Sequence, residues 1–229
     1  MKEIQDILKW LEESRNSKNV DGMSRFGINT YKAFGVPMPA LRAKAREYKN
    51  NHALAVGLWN TGIHECRLMA PLIADPKLTT PLLIQNWVEE FDSWDVCDQC
   101  CINLIRHMPF AHNKIWEYAP DDREFVRRTA FVLIATLAVH DKKVDNDDFL
   151  RYLGLIAEYS GDNRNFVKKA VNWALRQIGK RNFTLNEAAA EAAGELASSP
   201  LPSARWIGKD ALRELTSQKT LDYIRDHRK

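Results

Sequence analysis

The chain has 229 residues, 45% of them hydrophobic and 28% charged, with a formal net charge of +3. That length and apolar content suit one globular domain or one repeat array with a sizeable core. The near balance of charge makes overall electrostatics a weak pointer to a polyanionic partner, so the placement of the cations has to carry that argument.

The first element, MKEIQDILKWLEE, is acidic and amphipathic, unlike the basic-then-apolar pattern of a signal peptide. No apolar run reaches the ~20 residues of a membrane-spanning helix, the longest being 129–139. Three of the four cysteines (Cys66, Cys97, Cys100, Cys101) crowd into five residues, a poor disulfide framework. Reduced thiols and a cytoplasmic location are expected. Helical periodicity runs through nearly the whole chain, with no convincing alternating strand. Gly35, Pro37, Gly62, Pro76, Pro81, Pro109, Pro120, Gly161, Pro200 and Pro202 punctuate it into helices of roughly 10–17 residues. No low-complexity linker intervenes, so 1–229 reads as a single domain.

Several helices resemble one another. ECRLMAPLIA (65–74) aligns with VRRTAFVLIA (126–135), placing Arg67 on Arg128. VKKAVNWALR (167–176) and ARWIGKDALREL continue the series with Lys169 and Lys209, at steps of 41 and 40 residues. That is the length of a HEAT-like helical pair. The helix expected over 94–107 falls between the first two and puts Asp98 near the same phase. The expected fold is an all-α, HEAT-like helical-repeat solenoid, a curved superhelix of antiparallel pairs, with an irregular helical bundle as the alternative. In a solenoid, a basic residue recurring at one phase of the inner helices would line the concave surface.

On the helix expected over 163–181, Val167, Ala170, Val171, Ala174, Leu175 and Ile178 form the core stripe. Lys169, Trp173, Arg176 and Lys180 form a second stripe, with Trp173 about 130° from the core centre. A tryptophan among cations suits a phosphate-tracking, base-stacking surface; it equally suits a tryptophan packed against the next repeat among solvated lysines. In FDSWDVCDQCCINLIRH, Asp92 or Ser93 is the expected N-cap and Asp95 belongs to the first turn. Asp98 shares its stripe with Trp94, Cys101 and Ile105, and a carboxylate there must be paired, protonated or functional. An ion pair with a neighbouring arginine and a catalytic role both remain open. Arg127 is expected to look outward, whereas Arg128 shares a face with Phe131 and Ala135 and wants an anion, either a phosphate or a carboxylate such as Asp98.

Other signals are weaker. The cysteines lie mid-helix without partners at metal-ligand spacing, His64-Glu65-Cys66-Arg67 lacks the second histidine of a zinc protease, and there is no phosphate loop, nucleophile elbow or dinucleotide fingerprint. No metal and no cofactor are expected. Lys142 and Lys143 read as a solvated loop, and the closing RDHRK as a solvated tail or an extra phosphate contact.

SWDVCD, with Trp94 four residues before Asp98, resembles the active-site element of the AlkD-like DNA alkylation-repair glycosylases. FVRRTAFVL resembles the segment with that family's lesion-site arginine, at Arg128, and FVKKAVNWALR the segment with its second lesion-site tryptophan, at Trp173. SRFGINTYKAFGVPMPALR and LWNTGIHECRLMAPLIADP extend the likeness over most of the chain; DVCDQCC and the region after Arg181 depart from it. The resemblance implies a superhelix gripping double-stranded DNA and excision of positively charged N3- or N7-alkylpurines. Asp98 would stabilise the oxocarbenium-like transition state and orient water. Trp94 and Trp173 would contact lesion and sugar, with Arg128, Lys169, Arg176 and Lys180 on phosphates. A solenoid of this size can act as a monomer, without a membrane. The rival expectations are a HEAT-like module that binds distorted DNA without chemistry, and a protein-binding solenoid.

Overall fold

A computed structural model describes residues 2–227; Arg228 and Lys229, at the end of the RDHRK tail, lie outside the described residues. Among those described, all regular structure is helical, and the helices fall into two compact units, Met1–Phe110 and Ala111–Lys229. The first unit holds α1 (Lys2–Glu13), α2 (Ser17–Arg25), α3 (Met38–Ala45), α4 (His52–Trp59), α5 (His64–Ile73), α6 (Pro81–Glu89) and α7 (Trp94–Asn103). The second holds α8 (Ala111–Tyr118), α9 (Glu124–His140), α10 (Asn146–Tyr159), α11 (Asn165–Gly179), α12 (Phe183–Ala197), α13 (Pro202–Leu215) and α14 (Gln218–His227).

Local chemistry sets many of these boundaries. The side chains of Asn16, Asn51, Thr80 and Asn182 accept backbone N–H groups at the starts of α2, α4, α6 and α12. Pro81 and Pro202 occupy first-turn positions of α6 and α13, where the missing N–H costs nothing.

In the first unit α5 is the hub: α3, α4 and α7 all pack on it, and α1 packs on α4. Trp59 at the end of α4 stacks on Trp87 of α6, rings parallel with centroids 4.3 Å apart. In the second unit α9 is apolar almost all round and correspondingly buried from Arg128 to Ala138. Thus the longest apolar run of the sequence is a core helix. α11 packs along α9, α13 packs on α11, and α12 bridges α10, α11 and α13. Alternate helices therefore form a row, as stacked helical pairs require. The core stripe expected on α11 is fully buried at all six positions. At Gly208 a Cβ would stand 2.2 Å from the Ala197 backbone nitrogen, so α13 meets the end of α12 at a distance that admits only glycine.

α7 is shorter than the sequence suggests. Asn103 donates its amide to both the carbonyl and the side-chain oxygen of Gln99, Leu104 leaves helical dihedrals, and 105–107 form a separate 3-10 turn. A side-chain amide competing for the helix's own carbonyl is a local reason for the break. No helix of the described residues is long and apolar enough to cross a membrane.

Candidate active site

Several hydrogen bonds tie the start of α7 to the segment after α2 and to α5. Ser93 is the N-cap residue, but its hydroxyl accepts from the backbone N–H of Asn29 (2.8 Å) rather than from its own helix. The Asn29 amide donates to Asp92 (2.7 Å), and the Trp94 indole N–H donates to the carbonyl of Phe26 (3.1 Å). Asp95 Oδ2 lies 2.9 Å from His64 Nε2 at the first residue of α5. The 26–36 segment between α2 and α3 is thereby tied to both α5 and α7.

Asp98 sits one turn beyond Trp94 and is 8% exposed, among Cys97, Cys100 and Cys101, all fully buried. Trp94 itself is half-buried. The cysteines are core residues: burial holds the thiols of Cys100 and Cys101 well above their ordinary range and pushes Cys66 up to about 12. The four cysteines are free thiols.

In the second unit, Arg128 is 5% exposed, and its Nη1 donates to the carbonyl of Phe166 (2.5 Å) at the start of α11. Phe166 stacks with Phe125 on the preceding turn of α9, centroids 5.8 Å apart. Arg127, expected to look outward, is instead held inward. Its guanidinium donates to Asp162 (2.8 Å) and to the carbonyl of Ala119 (2.9 Å), and stands 5.0 Å from the Tyr159 ring centroid. Burial alone would raise the Asp162 carboxyl, but Arg164 and Arg127 outweigh it and hold it down at about 2.

The cation stripe of α11 is only partly what the sequence suggests. Lys169 is exposed and Trp173 half-buried. Arg176 Nη1 and Lys180 Nζ, expected to be open to phosphates, both donate to Glu214 of α13, at 2.5 and 2.6 Å. Asp210 on the same helix accepts from Asn172 (2.7 Å). The Gln177 amide, turned with its oxygen toward them, accepts from Trp173 Nε1 and Lys180 Nζ at 3.2 Å each. The acidic stripe of α13 was missed because it lies on a different repeat, where an amphipathic wheel reads it as solvated. Arg67, at the phase of Arg128 and Lys169, is likewise spent inside the fold: it donates to Glu90 (2.8 Å) and lies 5.2 Å from the Trp59 ring centroid.

Two further residues escaped the sequence reading. Glu65 is almost fully buried, and its Oε1 accepts the backbone N–H groups of Phe34, Gly35 and Val36 at 2.9, 2.7 and 3.3 Å. Gly35 lies there at φ +77°, a conformation that favours glycine. His64 supports Asp95; burial disfavours its charged form, but Asp95, with help from Glu65 and Asp92, outweighs that and raises it above the usual histidine range. The available signal was a carboxylate at Glu65 in phase with Leu68, Met69 and Ile73, the same signal that singled out Asp98.

A family model described as DNA alkylation repair enzyme matches residues 7–215. The chain belongs to this family. One solved structure, described as a new family of proteins related to the HEAT-like repeat DNA glycosylases with affinity for branched DNA structures, is similar with a TM-score of 0.77 at 20% identity, over 91% of this chain and 94% of that one. The fold is accordingly HEAT-like. A designed armadillo repeat protein is similar over 78% of this chain and 92% of its own, at 19% identity and a TM-score of 0.37. No curated protein matches the chain. The resemblance drawn from SWDVCD and FVRRTAFVL is thus correct at the level of family and fold.

Proposed function

We propose that this family member hydrolyses the N-glycosidic bond of positively charged N3- or N7-alkylpurines in double-stranded DNA. The observation that carries the reading is Asp98, a carboxylate kept at the largely desolvated centre of α7 one turn from a half-buried tryptophan. Family membership in DNA alkylation repair gives a carboxylate at this place a purpose. A cationic alkylpurine leaves as a neutral base, taking the electron pair of the glycosidic bond, so no acid is needed to protonate it. The remaining oxocarbenium-like sugar is stabilised by the Asp98 carboxylate, which also orients a water to add at C1′; the water's proton passes to solvent. Trp94 and Trp173 offer faces to cation and sugar. Arg128 and Lys169 contact backbone phosphates, and Arg176 and Lys180 do so by exchanging Glu214 for phosphate. Because the family match runs from the first unit into the second, both are read as one HEAT-like functional module, acting as a monomer without metal or cofactor.

The test is release of 7-methylguanine or 3-methyladenine from alkylated duplex DNA by wild type and by Asp98→Asn. Release by wild type and its loss in the variant are expected; no release by wild type, or equal release by both, overturns the reading. One observation favours a second reading, recognition of distorted DNA without chemistry: the similar solved structure is described by its affinity for branched DNA. Tight binding of branched or abasic DNA with no base release would establish it.

A further inference from the structure

In the second unit, α11, α13 and α14 border a cavity of about 480 Å³. Its walls include Lys180 at the end of α11, Glu214 near the end of α13, and Ser217, Lys219, Thr220 and Tyr223 at the turn into α14 and along it. That last wall is fixed. Ile224, fully buried, anchors α14, and the backbone N–H groups of Thr220 and Leu221 donate to the Ser217 carbonyl at 3.0 and 3.1 Å.

The charge around the cavity is out of balance. Glu214 lies between Arg176 and Lys180, at 2.5 and 2.6 Å. Burial alone would raise its carboxyl, but Lys180 and Arg176 outweigh it and hold it below the ordinary range, so it stays ionised. Asp210, 3.8 Å from Arg176, is taken up by Arg213 at 2.5 Å. Lys219 is exposed and has no hydrogen-bond or ion-pair partner among the described residues. Arg176, Lys180 and Lys219 thus stand against the single carboxylate of Glu214, an excess of two positive charges. A phosphomonoester, with a second pKa of about 6, carries close to two negative charges at neutral pH. A phosphodiester inside a strand carries only one.

The remaining groups suit the rest of a nucleotide. The Tyr223 ring is 39% exposed where it lines the cavity, and an aromatic face stacks on any base. Thr220 Oγ1 accepts from the Ser217 hydroxyl (3.2 Å), which leaves its own proton to donate. The volume falls among small-ligand pockets, which run from roughly 300 to 1,000 Å³. We propose that this cavity binds a free mononucleotide, with the phosphomonoester on Lys219 and Lys180, the Thr220 hydroxyl donating to a phosphate oxygen and the base against Tyr223. Nucleotide binding here requires no base release. Lys180 is shared with the duplex contacts proposed above, whereas Lys219, Thr220 and Tyr223 are not, and these separate the two.

The experiment is calorimetric titration of the full chain with 2′-deoxyadenosine 5′-monophosphate, with deoxyadenosine and with inorganic phosphate. The monophosphate is expected to bind, and each of its halves to bind at least roughly tenfold more weakly, because a charged hydrogen bond or a stacked base contributes about that much or more. Lys219→Ala and Tyr223→Ala should each lose roughly tenfold of the affinity for the monophosphate. Tyr223→Phe, which keeps the ring and the packing of α14, should retain it, as should Lys77→Ala at an exposed lysine of the first unit. Affinity of Lys219→Ala for unmodified duplex should stay near wild type. Absence of monophosphate binding by wild type overturns the inference, as does binding of either half as tightly as the whole. Unchanged affinity in both alanine variants does the same. If Lys219→Ala weakens duplex and monophosphate equally, the cavity is an extension of the duplex contact and the nucleotide site is overturned while the repair reading stands.

Discussion

α7 and α11 carry the same device, a half-buried tryptophan with a charged residue one turn away, and treat the charge in opposite ways. Asp98, four residues after Trp94, is held at 8% exposure among cysteines. Lys169, four residues before Trp173, stands exposed, and the cations beyond Trp173 are drawn onto Glu214. A charge in water is screened, which suits the phosphate contact proposed for Lys169, whereas a charge in a low-dielectric setting keeps its field, which is what the role proposed for Asp98 would use. The contrast explains why the two helices are not interchangeable copies of one repeat, and several measurements would break or sharpen it.

The largest effect should come from Asp98→Asn, which keeps the shape and removes the charge. Base release is expected to fall about 100-fold or more, the scale seen when a preorganised electrostatic partner is removed, with duplex affinity little changed. A comparable loss of binding would mean that Asp98 positions DNA rather than stabilising charge. The cysteine packing behind it predicts that Cys66, Cys97, Cys100 and Cys101 react with a thiol reagent only as the protein unfolds. A fast-reacting thiol in the native state would contradict the sealed interior of α7.

On α11 the effects are smaller and depend on salt. Lys169→Ala should lower the slope of log K against log salt by about 0.9, one phosphate contact. Arg176→Ala should change it less, because its charge already rests on Glu214. Glu214→Gln should raise duplex affinity and steepen the slope by freeing Arg176 and Lys180; an unchanged slope would show that the pair never reaches DNA.

The smallest effect concerns the support of α7. The folded protein binds the His64 proton more tightly than the unfolded chain does. Its pairing with Asp95 therefore stabilises fully below the unfolded value of about 6.5, and that stabilisation is lost as pH rises through the raised folded value. His64→Gln should lower the thermal midpoint more at about pH 5.5 than at pH 9. An equal shift at both would show that packing, and not the ion pair, carries the contribution.

Much of this protein is legible along the chain because its physics is local. The core stripe of α11, the caps of α2, α4, α6 and α12, and the proline starts of α6 and α13 follow from residue periodicity and backbone chemistry. Asp98 and Trp94 stood out because a carboxylate on an apolar stripe breaks that periodicity, and Glu65 breaks it in the same way. Other features depend on residues far apart in sequence. Glu214 lies 38 residues from the Arg176 it neutralises, Asp162 draws Arg127 inward from 35 residues away, and Asn29 reaches Ser93 across 64. A helical wheel assigns Glu214 and Arg127 to solvent because it contains no neighbouring helix, and it says nothing of Asn29 or Asp162, which lie outside the helices. The sequence by itself determined the helical repeat, the family and the helices that carry the candidate chemistry, since these rest on short-range pattern. Which cations face water, how deeply Asp98 is buried and which aromatic rings stand in solvent were decided only by tertiary packing, because burial and ion pairing are properties of what comes to lie alongside.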